Sequence, residues 1–168
     1  MKVRASNAPV SWGMSYTGQP GAPPWRNVLR EIAEAGYRFT ELGPIGFYPE
    51  DPKLFGEALA GNGLTVVAGH VFEPMHDPRR RAQCIDGARR VLNMIAPNGA
   101  RRLVVIDYIT PERSAVAGRP DIAPRLESGD WKRMMEVIVE IATIARDEYG
   151  VTAVLHPQSI VHCLVAFA

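Results

Sequence analysis

Five side chains able to handle protons or contact a ligand stand where apolar runs end. They are Trp12, Glu41, His70, Asp107 and His156. Glu41 closes Tyr37 to Leu42, His70 follows Leu64-Thr65-Val66-Val67-Ala68-Gly69, and Asp107 follows Leu103-Val104-Val105-Ile106. His156 follows Val151 to Leu155, and Trp12 lies just past Val3 to Val10. Carboxylates and imidazoles gathered in a partly buried site acquire pKa values suited to general acid and base chemistry. Each residue also has a plainer reading: Glu41 as a loop cap, Asp107 as an Asx turn, the histidines as hydrogen-bonded structural groups, and Trp12 as core.

These residues are remote along the chain, so the elements between them must bring them together. The apolar run Val3 to Val10, interrupted by small and polar residues and by Pro9, reads as a short strand 1 that stops near Pro9. Trp25, Val28, Leu29, Ile32 and Ala33 recur at helical spacing between Pro24 and Gly36, which predicts helix 1. Asp51-Pro52 starts helix 2 and Asn62-Gly63 ends it, while Asp77-Pro78 starts helix 3 and Asn98-Gly99 ends it. Trp131, Met134, Met135, Ile138, Ile141, Ala142 and Ala145 mark helix 4, entered at Ser128-Gly129-Asp130. The β-branched run from Leu64 is a strand expected to be covered on both faces and to end at His70; Leu103 to Ile106 reads as a buried strand. From about Thr110 to Ser128 runs a long loop, of the kind that serves as a lid or is mobile. Arg79-Arg80-Arg81 reads as a solvated helix start rather than a phosphate site.

Strict strand–helix alternation implies parallel strands with right-handed crossovers, hence either a doubly wound sheet or a (β/α) barrel. A dinucleotide-binding sheet requires a tight Gly-x-Gly-x-x-Gly after strand 1; here the segment reads Ser11-Trp12-Gly13-Met14-Ser15. One polar or aromatic residue per strand end suits a barrel, whose strand C-termini share one mouth.

The chain has 168 residues, 46% apolar and 22% charged, enough for one core. Its formal net charge of +1 excludes a strongly basic nucleic-acid binder and gives no attraction to an anionic membrane. No apolar stretch approaches the roughly 18 residues that span a bilayer, and the N-terminus lacks a signal-like apolar region. Cys84 and Cys163 stand far apart without metal-ligand spacing, which fits a reducing cytoplasm.

Asn7-Ala8-Pro9-Val10-Ser11-Trp12-Gly13, Glu34-Ala35-Gly36-Tyr37, Thr40-Glu41-Leu42-Gly43 and Asp51-Pro52, in this order, resemble the xylose-isomerase-like TIM-barrel family. Within it they are similar to sugar phosphate isomerases/epimerases and inosose dehydratases. The resemblance runs from Val3 to about His156-Pro157. It implies an α/β fold that is a partial (β/α)8 TIM barrel, with about five parallel strands and four helices, where a closed barrel takes about 250 residues. It also implies a divalent metal (manganese, cobalt or magnesium), held in the family mostly by residues of strands 5 to 8, and a small sugar-like substrate. Glu41 and Asp107 are then the expected catalytic carboxylates, with Trp12, His70 and His156 expected to bind substrate. Residues 1–157 form the incomplete barrel and 158–168 an atypical apolar tail, which reads as the product of a frameshift or early stop. The expected reaction is sugar or sugar-phosphate isomerisation or epimerisation through metal-assisted proton abstraction next to a carbonyl. Dehydration of a keto-inositol shares that step. A catalytically dead partial barrel that assembles with itself through open sheet edges is the alternative from another class.

Overall fold

A computed structural model describes residues 5–119 and 121–157 of the chain. Five parallel strands form one sheet: β1 (Ser6–Asn7), β2 (Phe39–Glu41), β3 (Thr65–Glu73), β4 (Arg102–Asp107) and β5 (Thr152–Leu155). Their spatial order is β1-β2-β3-β4-β5, the same as their order along the chain. A doubly wound sheet needs a reversal of order to place helices on both faces, whereas repeated right-handed crossovers in one direction place every helix on one face. The unreversed order therefore selects the barrel wall.

The helices are α1 (Trp25–Glu34), α2 (Pro52–Gly61), α3 (Arg81–Ile95), α4 (Pro111–Ser114) and α5 (Ser128–Tyr149). Neighbouring helices touch in series, α1 with α2, α2 with α3 and α3 with α5, as a single outer layer should. Asp51 caps α2 by accepting from the Lys53 and Leu54 amides at 2.9 and 3.0 Å. Asp77 performs the same task before α3, accepting from the Arg79 amide, but there the first turn, Pro78–Arg80, is a 3-10 helix. Val28, Leu29 and Ile32 of α1, Val91, Leu92 and Ile95 of α3 and Ile141 of α5 are fully buried in one core with Leu103 and Val105 of β4. No helix among the described residues is long and apolar enough to cross a membrane.

Strand 1 stops before Pro9, as expected: β1 is Ser6–Asn7, and the chain turns into a 3-10 helix over Pro9–Trp12. Pro9 causes this, because it has no N–H for the ladder and its φ suits the first position of a helical turn. Other sequence expectations change. Strand 3 does not end at His70 but continues to Glu73, whose register partner is Asp107 at the end of β4. Pairing with β4 carries it past the point where β2 stops. In β3 the consecutive residues Ala68 and Gly69 are both buried, whereas β4 is covered on one face alone. Along β4 Leu103, Val105 and Asp107 are buried while Val104 and Ile106 are only half-buried, so the helices cover one side alone. The long loop after β4 contains α4, and it is tied down: the fully buried Arg113 donates through a guanidinium N–H to the Pro124 carbonyl. Arg79, Arg81, Arg89 and Arg90 pair with Asp77, Glu140, Glu148 and Glu50, in keeping with a solvated face. The tail expected over 158–168, with Cys163, lies outside the described residues.

Gly43, two residues past β2, has φ of 70°, and a Cβ built there would meet the Pro9 ring at 2.7 Å. Left-handed backbone costs a non-glycine residue about 1–2 kcal/mol, before any displacement of Pro9. Gly43→Ala is expected to lower the denaturation midpoint by an amount equivalent to about 2 kcal/mol or more. An unchanged midpoint would show that the β1–α1 and β2–α2 loops do not lock together in this way.

Candidate functional site

In β2 the core-facing residues are Thr40 and, just beyond the strand, Leu42; Glu41 between them is half-buried and projects to the opposite, open face. A bulge between Thr40 and Glu41 pairs Glu41 with Ala68, which pairs in turn with the exposed Arg102 of β4. His70, two residues along β3, pairs with Val104, and Val104 pairs with Val154 of β5. Paired residues of parallel strands share a face, so Glu41, His70, Val104 and Val154 line the side turned away from the helices. His156 continues this set two residues beyond Val154, with its backbone N–H on the Val105 carbonyl at 3.0 Å.

Electrostatics links the three ionisable members. Burial pushes the Glu41 carboxyl above the ordinary carboxylate range, and the nearby His156 partly offsets the shift. Burial pushes the His70 imidazole below its ordinary value, and His156 pushes it the same way. Glu41 is therefore a stronger base than a free carboxylate. His70 is held neutral near pH 7, able to donate from one ring nitrogen and accept at the other.

Asp107 does not join them. It sits on the helix side of β4, fully buried, and accepts from the His76 backbone N–H at 3.2 Å. Its two oxygens lie 2.8 and 2.9 Å from His76 Nδ1. This pairing ties the β3–α3 connection to the end of β4, and the carboxylate holds the His76 imidazole above its ordinary pKa. Trp12 is also turned elsewhere: its indole N–H donates to Glu31 Oε2 on α1 at 2.6 Å. Cys84, buried on α3, has its thiol pushed up to about 12 by burial, with Glu73 and Asp107 adding to the rise, which disfavours the thiolate.

Sequence reasoning missed Glu73 and His76. Glu73 closes β3 as Glu41 and Asp107 close their strands, and the signal was its place between Val71-Phe72 and Pro74. Its carboxylate accepts from Gln83 Nε2 at 2.7 Å and sits over Gly87 of α3, where a Cβ would lie 2.9 Å from Oε1. Burial raises the Glu73 pKa, against the opposing pull of Gln83, Arg90 and Arg80. Glu73 and His70 line a cavity of about 340 Å³ at the C-terminal end of β3, together with Tyr16, Phe72 and Tyr108. The Phe72 and Tyr108 rings lie 4.7 Å apart between centroids. Among the described residues no group of three His, Cys, Asp or Glu side chains is arranged to hold a metal ion. The described residues thus bring together no ligand set for a divalent cation, and Glu41, His70 and His156 form an acid–base group on the open face.

A one-layer (β/α) wall with ionisable residues at the strand ends defines a TIM-barrel-type protein. The family described as Xylose isomerase-like TIM barrel matches residues 29–163, and the chain belongs to it. No curated protein matches the sequence. Among solved structures, a xylose isomerase-like TIM-barrel protein from Mycobacterium smegmatis in complex with magnesium is 17% identical with a TM-score of 0.64; the match covers 90% of this chain and 54% of that one. D-Allulose 3-epimerase from Methylomonas sp., in complex with D-allulose, is 15% identical with a TM-score of 0.61, over 89% of this chain and 49% of the epimerase. A 3-keto-D-glucoside 4-epimerase from E. coli is 21% identical with a TM-score of 0.58, over 86% and 56%. At such identities the likeness is one of fold. This chain spans about half the length of these relatives.

Proposed function

We propose that this chain carries the proton-transfer part of a sugar or sugar-phosphate isomerase/epimerase-type site. The observation that carries the reading is Glu41 on the open face with His70 and His156, its basicity raised by burial. Abstraction of a proton next to a carbonyl needs a carboxylate whose pKa approaches the working pH and donors for the enolate oxygen. Glu41 takes the proton; the neutral His70 and the exposed His156 hydrogen-bond the carbonyl and adjacent hydroxyls. Asp107, expected from sequence as a second catalytic carboxylate, acts in this reading through His76 as a positioning group. Trp12 supports the first loop from the α1 side. Family membership and the fold likeness to sugar epimerases support a sugar-like substrate. Enolisation followed by loss of water, as in inosose dehydration, would use the same three residues.

Titration of the protein with D-allulose and D-fructose, followed through histidine ring signals, tests this. Saturable shifts of His70 and His156, with His76 unmoved, are expected. Absence of any saturable shift would overturn the reading in favour of an inactive assembly subunit. One feature favours that second reading: Val154 and Leu155 of the edge strand β5 are 38% and 36% exposed. An assembly role would then appear as concentration-dependent growth in particle size.

A further inference from the structure

Resting on the sugar reading above, we propose that the cavity at the C-terminal end of β3 selects the uncharged, non-phosphorylated end of a polyhydroxylated substrate, with Glu73 accepting its hydroxyls. Aromatic rings form much of its wall: Tyr16, Phe72 and Tyr108, the last two packed on each other. Such faces suit the C–H face of a sugar, and a cavity of about 340 Å³ is of the size that takes a small ligand. Set into that wall, Glu73 is an acceptor with two oxygens, one of them engaged by Gln83. Its seat is built into the fold, because Gly87 is the residue of α3 beneath the carboxylate and any larger side chain would displace it.

A half-buried carboxylate repels a phosphate group far more than a solvated one does, since the intervening dielectric is low. The cations of α3 do not reverse this. Arg79, Arg81, Arg89 and Arg90 are drawn to carboxylates on Asp77, Glu140, Glu148 and Glu50, and Arg80 donates to Gln83. His70, on the same cavity, is held neutral and adds no positive charge. A sugar hydroxyl donates to Glu73 without introducing charge, whereas a phosphate ester places like charge against it.

Calorimetric titration at pH 7.5 and fixed ionic strength, with D-fructose and D-fructose 6-phosphate as probes, separates the outcomes. The neutral ketose is expected to bind at least tenfold more tightly than its ester, and Glu73→Gln is expected to reduce that preference to within about threefold. Equal or tighter binding of the ester to the unmodified protein would overturn the inference while leaving the sugar reading standing. Binding of neither probe would overturn both. Gly87→Ala, which keeps the charge but fills the seat, is expected to weaken ketose binding severalfold; unaltered binding would show that Glu73 is not the acceptor.

Discussion

With Glu41 replaced by glutamine, deuterium exchange at the carbon next to a bound ketose carbonyl is expected to fall by roughly 10²–10⁴-fold, the contribution typical of one well-placed general base. Glutamine keeps the shape and loses the basic lone pair. The loss should come without a loss of fold. A carboxyl whose folded pKa lies above its unfolded value contributes stability while protonated and gives it up as pH rises through the folded value. At neutral pH the charged Glu41 is therefore a burden on the folded state, and Glu41→Gln should be at least as resistant to denaturant as the parent. The pH profile of exchange carries the same information. Only ionised Glu41 takes a proton, so the acid limb should have its midpoint above 4.5, the ordinary value for the group. Exchange that persists in Glu41→Gln, or an acid limb at or below the ordinary carboxylate value, would remove Glu41 from the role of base.

Asp107→Ala should act in the opposite sense, costing about 3 kcal/mol of stability. Loss of a buried hydrogen-bond acceptor costs about 1–3 kcal/mol, and the substitution takes the Asp107 carboxylate away from both the His76 backbone N–H and its Nδ1. His76 remains 20% exposed at its side chain, so water recovers part of the loss. The pH dependence gives a more specific signature. The folded His76 pKa lies above the unfolded value, so its contribution is complete below about 6.5 and declines as pH rises through the folded pKa. His70 runs the other way: its folded pKa lies below the unfolded one, so its contribution is present above the unfolded value and is lost as pH falls through the folded value. Denaturation midpoints measured from pH 5 to 9 should therefore decline less toward alkaline pH in Asp107→Ala than in the parent. Parallel curves with equal midpoints would show that the Asp107–His76 pairing does not hold the β3–α3 connection to β4.

The elements whose signals are local were legible. The Asp51-Pro52 and Asp77-Pro78 helix starts, the Val28-Leu29-Ile32 stripe and the apolar run Leu103 to Ile106 all depend on contacts within a few residues or on burial against one face. The end of β3 was less so. β1 stops where Pro9 begins a turn, a local signal, whereas β3 runs on to Glu73 because β4 supplies hydrogen bonds beyond the reach of β2. No window of sequence around residue 70 contains the partner strand that decides this. The same non-locality hid Glu73, although its place before Pro74 repeated the pattern seen at Glu41 and Asp107.

Sequence alone was sufficient for the parallel alternating fold, for the family resemblance and for the candidacy of Glu41, His70, Asp107 and His156, because strand ends and periodicity are written in consecutive residues. Which of these residues act together was decided by the tertiary structure. Parallel register and the bulge after Thr40 turn Glu41, His70 and His156 to the open face; one step of the β-strand period turns Asp107 to the helix layer, where His76 meets it. A side chain's face depends on its register with a neighbouring strand, and that register is set by atoms tens of residues away.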